Sequence, residues 1–157
     1  MKKACVVGVW LAVSALLPLV SVASDVSGEA SVAKKSYAPG LGEIMTATQM
    51  RHIKLWFAGQ AGNWKLANYE VDELEEGFED AINFHPQRTE LLEKVVELPL
   101  KQMRRAIAEK SANKFRAAFG ALTDSCNECH KSENFGFNVV VTPTSNPYTN
   151  QVFTTLP

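Results

Sequence analysis

Apolar side chains recur with helical spacing in four stretches of this chain. Leu41, Ile44, Met45, Thr48, His52, Leu55 and Trp56 share one stripe and predict a first helix from about Leu41 to Ala58, ended by Gly59 and Gly62. Asn63 is a suitable N-cap for a second helix, Trp64 to Asn83, in which Leu66, Tyr69, Leu74, Phe78 and Ile82 are roughly periodic. Asp72, Glu73, Glu75, Glu76, Glu79 and Asp80 form the rest of that helix and read as a solvated face. Phe84-His85-Pro86 breaks the pattern. Thr89 is placed to cap a third helix, to about Lys110, with Glu90 and Glu93 in its first turn. Pro99 inside it predicts a kink near Val95–Val96. Ser111 caps a fourth helix, Ala112 to Lys131, with Phe115, Phe119, Leu122 and Cys126 on one stripe. Amphipathic helices joined by short connections predict an all-α fold, an up-down-up-down four-helix bundle.

The flanks differ in kind. Met1-Lys2-Lys3, the apolar run Ala4 to Val20 and the small residues Ser21-Val22-Ala23 predict a secretory signal peptide over residues 1–23, cleaved after Ala23 or, second choice, Ser24. The run is short for a membrane span, so no stable anchor is expected after cleavage. Residues 24–40 are rich in Ser, Ala and Gly and read as a flexible leader. Residues 41–157 then form one domain. Its tail begins at about residue 135, where Phe135-Gly136-Phe137-Asn138-Val139-Val140-Val141 is β-prone. Pro143 and Pro147 keep the following chain extended through Thr154. A tail this apolar is expected to pack over one end of the bundle or beside the functional site.

The chemistry concentrates in Cys126-Asn127-Glu128-Cys129-His130. C-x-x-C-H is the attachment sequence for a c-type haem. Two thiols add to the vinyl groups as thioethers, and the histidine after the second thiol binds the iron. On a helix, positions i, i+3 and i+4 share a face. The competing readings are half a zinc site and a thiol redox pair. Structural zinc needs four ligands; the remaining candidates are His52, His85 and Cys5, which leaves with the signal peptide. A thiol redox motif belongs beside a βαβ pattern, and none is present. Export strengthens the haem reading, because two cysteines outside the cytoplasm otherwise form a disulfide. One covalent haem c is expected, on Cys126, Cys129 and His130.

Charge narrows the partners. The chain has 16 basic and 17 acidic residues, net −1, and becomes more negative once Lys2 and Lys3 are removed. That argues against nucleic acid or an anionic membrane surface. Redox partner proteins are expected and, as a homodimer, a second copy of the chain. No G-x-S-x-G, H-E-x-x-H or phosphate loop is present, and no enzyme activity is expected.

The sixth iron position decides between carrier and binder. His52 is the leading candidate metal ligand, because it lies on the inward stripe of helix one, on the same face as Met45. Met45 is the second candidate and an open position the third. His85, Met50 and Met103 rank lower. Trp56, Phe57 and Trp64 read as core or haem-packing aromatics. Arg51 and Lys54 read as surface charges, with haem propionates as the alternative.

These residues together resemble the class II cytochromes c, which include cytochrome c-prime and carry C-x-x-C-H on the last helix of a periplasmic four-helix bundle. The chain is still more similar to a group of small exported monohaem proteins of Gram-negative bacteria. The matching segments are Arg51 to Gly59, Asn63 to Ala67, the C-x-x-C-H itself, Gly136-Phe137 and Pro143 to Gln151. The resemblance covers nearly everything from Leu41 onward and implies fold, haem and a periplasmic location. Unlike c-prime, the chain breaks at Asn134–Gly136, adds an extended tail, and has His52 on helix one. The leading expectation is a periplasmic electron-transfer cytochrome. A five-coordinate haem that binds NO or CO is second, and a peroxidase-like haem third.

Overall fold

The computed structural model describes residues 37–155. The expected signal peptide and most of the leader lie outside that range. Four helices follow in order: α1, Leu41–Gln60; α2, Trp64–Phe84; α3, Thr89–Ala108; and α4, Ala112–Ser132. A short 3-10 turn, Pro86–Arg88, precedes α3. α1 packs mainly on α2 and α3 on α4, in the up-down arrangement. The boundaries lie within one or two residues of those the periodicity predicts. No helix among the described residues is long and apolar enough to cross a membrane.

The caps show why the helices begin where they do. Asn63 Oδ1 accepts from the Leu66 amide at 3.2 Å, and Ser111 Oγ accepts from the Lys114 amide at 3.4 Å. Thr89 corrects the expectation: it is the first residue of α3, and its hydroxyl donates to the Pro86 carbonyl at 2.9 Å. The 3-10 turn brings that carbonyl within its reach.

The core is one cluster. Leu55, Leu74, Met103, Phe115, Phe119 and Leu122 are almost wholly buried. At the end formed by the α1–α2 and α3–α4 turns, Trp56 and Trp64 pack against Phe115 at ring separations of 6.3 and 6.0 Å. Gly59 is required there, because a Cβ would overlap the Phe115 ring. The acidic run on α2 divides. Glu76, Glu79 and Asp80 are exposed as expected, whereas Arg104 on α3 binds Asp72 and Glu75. Arg51 on α1 binds Glu73 at 2.6 Å and the buried Glu70 at 3.5 Å.

Pro99 lies inside an uninterrupted α3. It has no N–H to offer the carbonyl four residues earlier, that of Val95. Ser125 Oγ on α4 donates to this carbonyl at 2.6 Å instead. The proline thus creates an acceptor that ties α3 to the residue before Cys126. Ser125→Ala should cost about 1 kcal/mol, read as a lower denaturation midpoint with an unchanged slope. Ser125→Thr, which keeps the hydroxyl, should recover most of it.

Beyond α4 the chain runs the length of the bundle as an extended tail. Tyr148 Oη donates to the Met50 carbonyl at 3.3 Å, and the Lys54 ammonium sits 5.1 Å from the Tyr148 ring centroid. Phe153 is 7% exposed against Phe57, and its carbonyl accepts from Asn63 Nδ2 at 3.0 Å. The tail therefore meets both expected destinations, with its start beside the Cys-x-x-Cys motif and its end against α1 and α2.

Candidate functional site

The end of α4 and the start of α1 lie at the same end of an up-down bundle, with the α2–α3 turn between them. There the helices enclose a partly open cavity of about 330 Å³. Its walls are predominantly apolar: Leu41 and Met45 from α1, Leu74 and Phe78 from α2, and Leu92, Val95 and Val96 from α3 are among them. α4 contributes Leu122, Cys126, Cys129 and His130. Both thiols and the adjacent imidazole thus border one space, as a helical C-x-x-C-H requires.

Burial pushes the Cys126 thiol up to about 11. A thiol that works by exchange needs the opposite, a pKa lowered toward neutrality by positive surroundings. Among the described residues no three His, Cys, Asp or Glu side chains gather as a metal cluster. Neither the redox-pair nor the zinc reading gains support from the geometry.

His130 is half-buried, and its Nδ1 lies 2.6 Å from the Asn138 carbonyl. A carbonyl only accepts, so Nδ1 carries the proton and Nε2 keeps its lone pair. That is the tautomer a metal-binding imidazole needs.

His52, on the α1 side of the cavity, is 3% exposed. Its ring lies 4.3 Å from that of Phe119, and its Nε2 is 2.9 Å from Thr123 Oγ1. Thr123 donates its own hydroxyl proton to the Phe119 carbonyl at 2.9 Å, so it accepts from His52. Nε2 is then the protonated nitrogen and Nδ1 the bare one. Nδ1 is buried and has no hydrogen-bond partner. An unpartnered buried acceptor is costly and uncommon. Desolvation lowers the His52 pKa to about 4, so its imidazole is neutral and able to ligate at ordinary pH.

These observations fit a haem c. The thiols and His130 stand on one wall, His52 and Met45 on the α1 side, with apolar side chains between them. Compared with models of protein families, with curated proteins and with solved structures, the chain has no match. The fold and the motif carry the assignment: an all-helical bundle with a Cys-x-x-Cys spacing near the end of its last helix, consistent with a haem c attachment site.

Other expected residues sort differently. Trp56, Phe57 and Trp64 are core aromatics and do not line the cavity. Neither do Arg51 and Lys54; Arg51 is occupied by Glu70 and Glu73. The cation on the cavity wall is Arg88, at the α2–α3 turn, whose Nε donates to Glu133 Oε2 at 2.7 Å. It is better placed for a propionate than Arg51 or Lys54. Met50 is exposed, Met103 is buried in the core, and His85 Nε2 sits 3.3 Å from the Pro39 carbonyl. Sequence reasoning missed Arg88, Thr123 and Asn138. Only Thr123 left a trace, one turn after Phe119 and one turn before Cys126 on the helix that carries the motif.

Proposed function

We propose that this chain is a monohaem c-type cytochrome that carries electrons between redox partner proteins in the periplasm of a Gram-negative bacterium. The observation that carries the proposal is the pairing of the C-x-x-C-H face of α4 with an apolar cavity that is lined from α1 by His52, a buried histidine with one unpartnered ring nitrogen. Bound there, the haem supplies a one-electron iron couple. The chain supplies the rest. Cys126 and Cys129 would tether the group, His130 Nε2 would hold the iron, and the apolar walls would limit water and keep the dielectric low. His52 would be the other side chain to hold the iron. Arg88 is proposed to pair with a propionate, displacing Glu133.

One observation favours a second reading, a five-coordinate haem that binds NO or CO. His52 Nε2 is already engaged by Thr123, so ligation must use Nδ1 or break that hydrogen bond. Absorption and EPR spectra of the ferric and ferrous protein separate the two. Low-spin spectra in both states, with no CO complex, are expected of the carrier. A high-spin parent that binds CO readily would give the lead to the second reading.

A further inference from the structure

The chain reverses direction after α4. Asn134 adopts a left-handed backbone with φ 63°, and the Phe135 amide donates back to the His130 carbonyl at 2.7 Å. A second turn closes where the Asn138 amide donates to the Phe135 carbonyl at 2.8 Å. The returning strap then passes beside the motif helix. There the Asn127 side chain binds Val140 at two points: Nδ2 donates to the Val140 carbonyl and Oδ1 accepts from the Val140 amide, each at 2.8 Å. This pairing supplies what a neighbouring β-strand would otherwise supply. Val140 and Asn138 line the cavity, while Phe137, Val139 and Val141 are 81%, 64% and 67% exposed. The strap therefore buries little apolar surface, and hydrogen bonds hold much of it in place. Between its turns and the Asn127 clamp lies the Asn138 carbonyl that accepts from His130 Nδ1.

We propose that Asn127, between the two thiols, is a positioning residue that sets the strength of His130 as an iron ligand by clamping the strap. The inference rests on the haem reading above. A carbonyl held against Nδ1–H increases electron donation from the imidazole and favours the ferric state. Releasing the clamp lets the Asn138 carbonyl exchange His130 for water. The amide of Asn127 matches the task because it donates and accepts at once; an aspartate only accepts, and an alanine does neither.

The test uses the haem-loaded protein, with Asn127→Ala, Asn127→Asp and Val140→Pro beside the parent. Val140→Pro removes the donor from the strap side and leaves the motif untouched, which covers the case in which Asn127→Ala fails to mature. Hydrogen exchange reads the Val140 amide, NMR reads exchange of the His130 Nδ1 proton, and spectroelectrochemistry reads the midpoint potential. In Asn127→Ala the Val140 amide and the His130 Nδ1 proton should each exchange about tenfold faster or more. The ferric-to-ferrous ratio at fixed applied potential should fall about threefold. Asn127→Asp should lie between parent and Asn127→Ala, and Val140→Pro should shift the His130 proton and the potential in the same direction. Unchanged Val140 exchange in Asn127→Ala would overturn the clamp. Faster Val140 exchange with an unmoved His130 proton and potential would reduce Asn127 to a structural contact and also overturn the proposal. A parent without covalent haem overturns the haem reading itself, and its mass shows this before any variant is made.

Discussion

The protein, fully denatured, should retain one haem, and Cys126→Ser combined with Cys129→Ser should release it completely. Thioether bonds survive loss of the fold, whereas a haem held by packing and ligation does not. The two sulfurs are one helical turn apart on α4 and border the same cavity. Each single variant keeps one possible thioether and should retain a part of the covalent haem. Mass spectrometry of denatured protein checks all four forms. Haem extracted freely from the parent by acidified solvent would defeat the assignment. The double variant should also lose stability, because an apolar cavity bordered by four helices is left without the group that fills it.

Removal of His52 should have the second-largest effect. His52→Ala should convert a low-spin spectrum to high spin and create a CO complex that the parent does not form. The basis is His52 itself, which lines the cavity with a bare, buried Nδ1 and an imidazole kept neutral by desolvation. Imidazole added to the variant should restore the low-spin spectrum, as a vacated iron position permits. The substitution also removes a hydrogen bond to Thr123 and a ring contact with Phe119, so a loss of about 2 to 4 kcal/mol in stability is expected. An unchanged spectrum would pass the ligand role to Met45, which lines the same cavity. Imidazole on both sides lacks the thioether that raises the potential of methionine-ligated cytochromes, so the parent potential should be rather low.

Local pattern was enough for the helices. Periodic apolar positions, the Asn63 and Ser111 caps and the break at His85-Pro86 act over a few residues, and each helix lies within one or two residues of its expected limits. The up-down arrangement follows, because short connections leave consecutive helices little choice but to lie antiparallel. C-x-x-C-H was legible for the same reason: its three chemical groups are neighbours in the chain, and helix geometry alone puts them on one face. The inward direction of His52 also came from its stripe.

What the stripe could not reveal was the partner of that histidine. Thr123 is 71 residues away, and only the packing of α1 near α4 brings its hydroxyl to Nε2 and leaves Nδ1 bare. Pro99 marked a disturbance near Val95–Val96, but Ser125 as the donor to the Val95 carbonyl depends on the register between α3 and α4. Arg51 looked as available as any surface cation until α2 placed Glu70 and Glu73 beside it, whereas Arg88 reached the cavity because the turn before α3 points it there. The strap shows the same division. Its residues read as extended and apolar, yet the reversal at Asn134 and the clamp by Asn127 decide that the Asn138 carbonyl meets His130. By itself the sequence determined the helices, their order and the placing of both thiols and His130 on one helix face, which depend on neighbours along the chain. The tautomers of both histidines, the cation at the cavity and the course of the tail were decided by the tertiary structure, because each depends on which distant groups compete for a single donor, acceptor or charge.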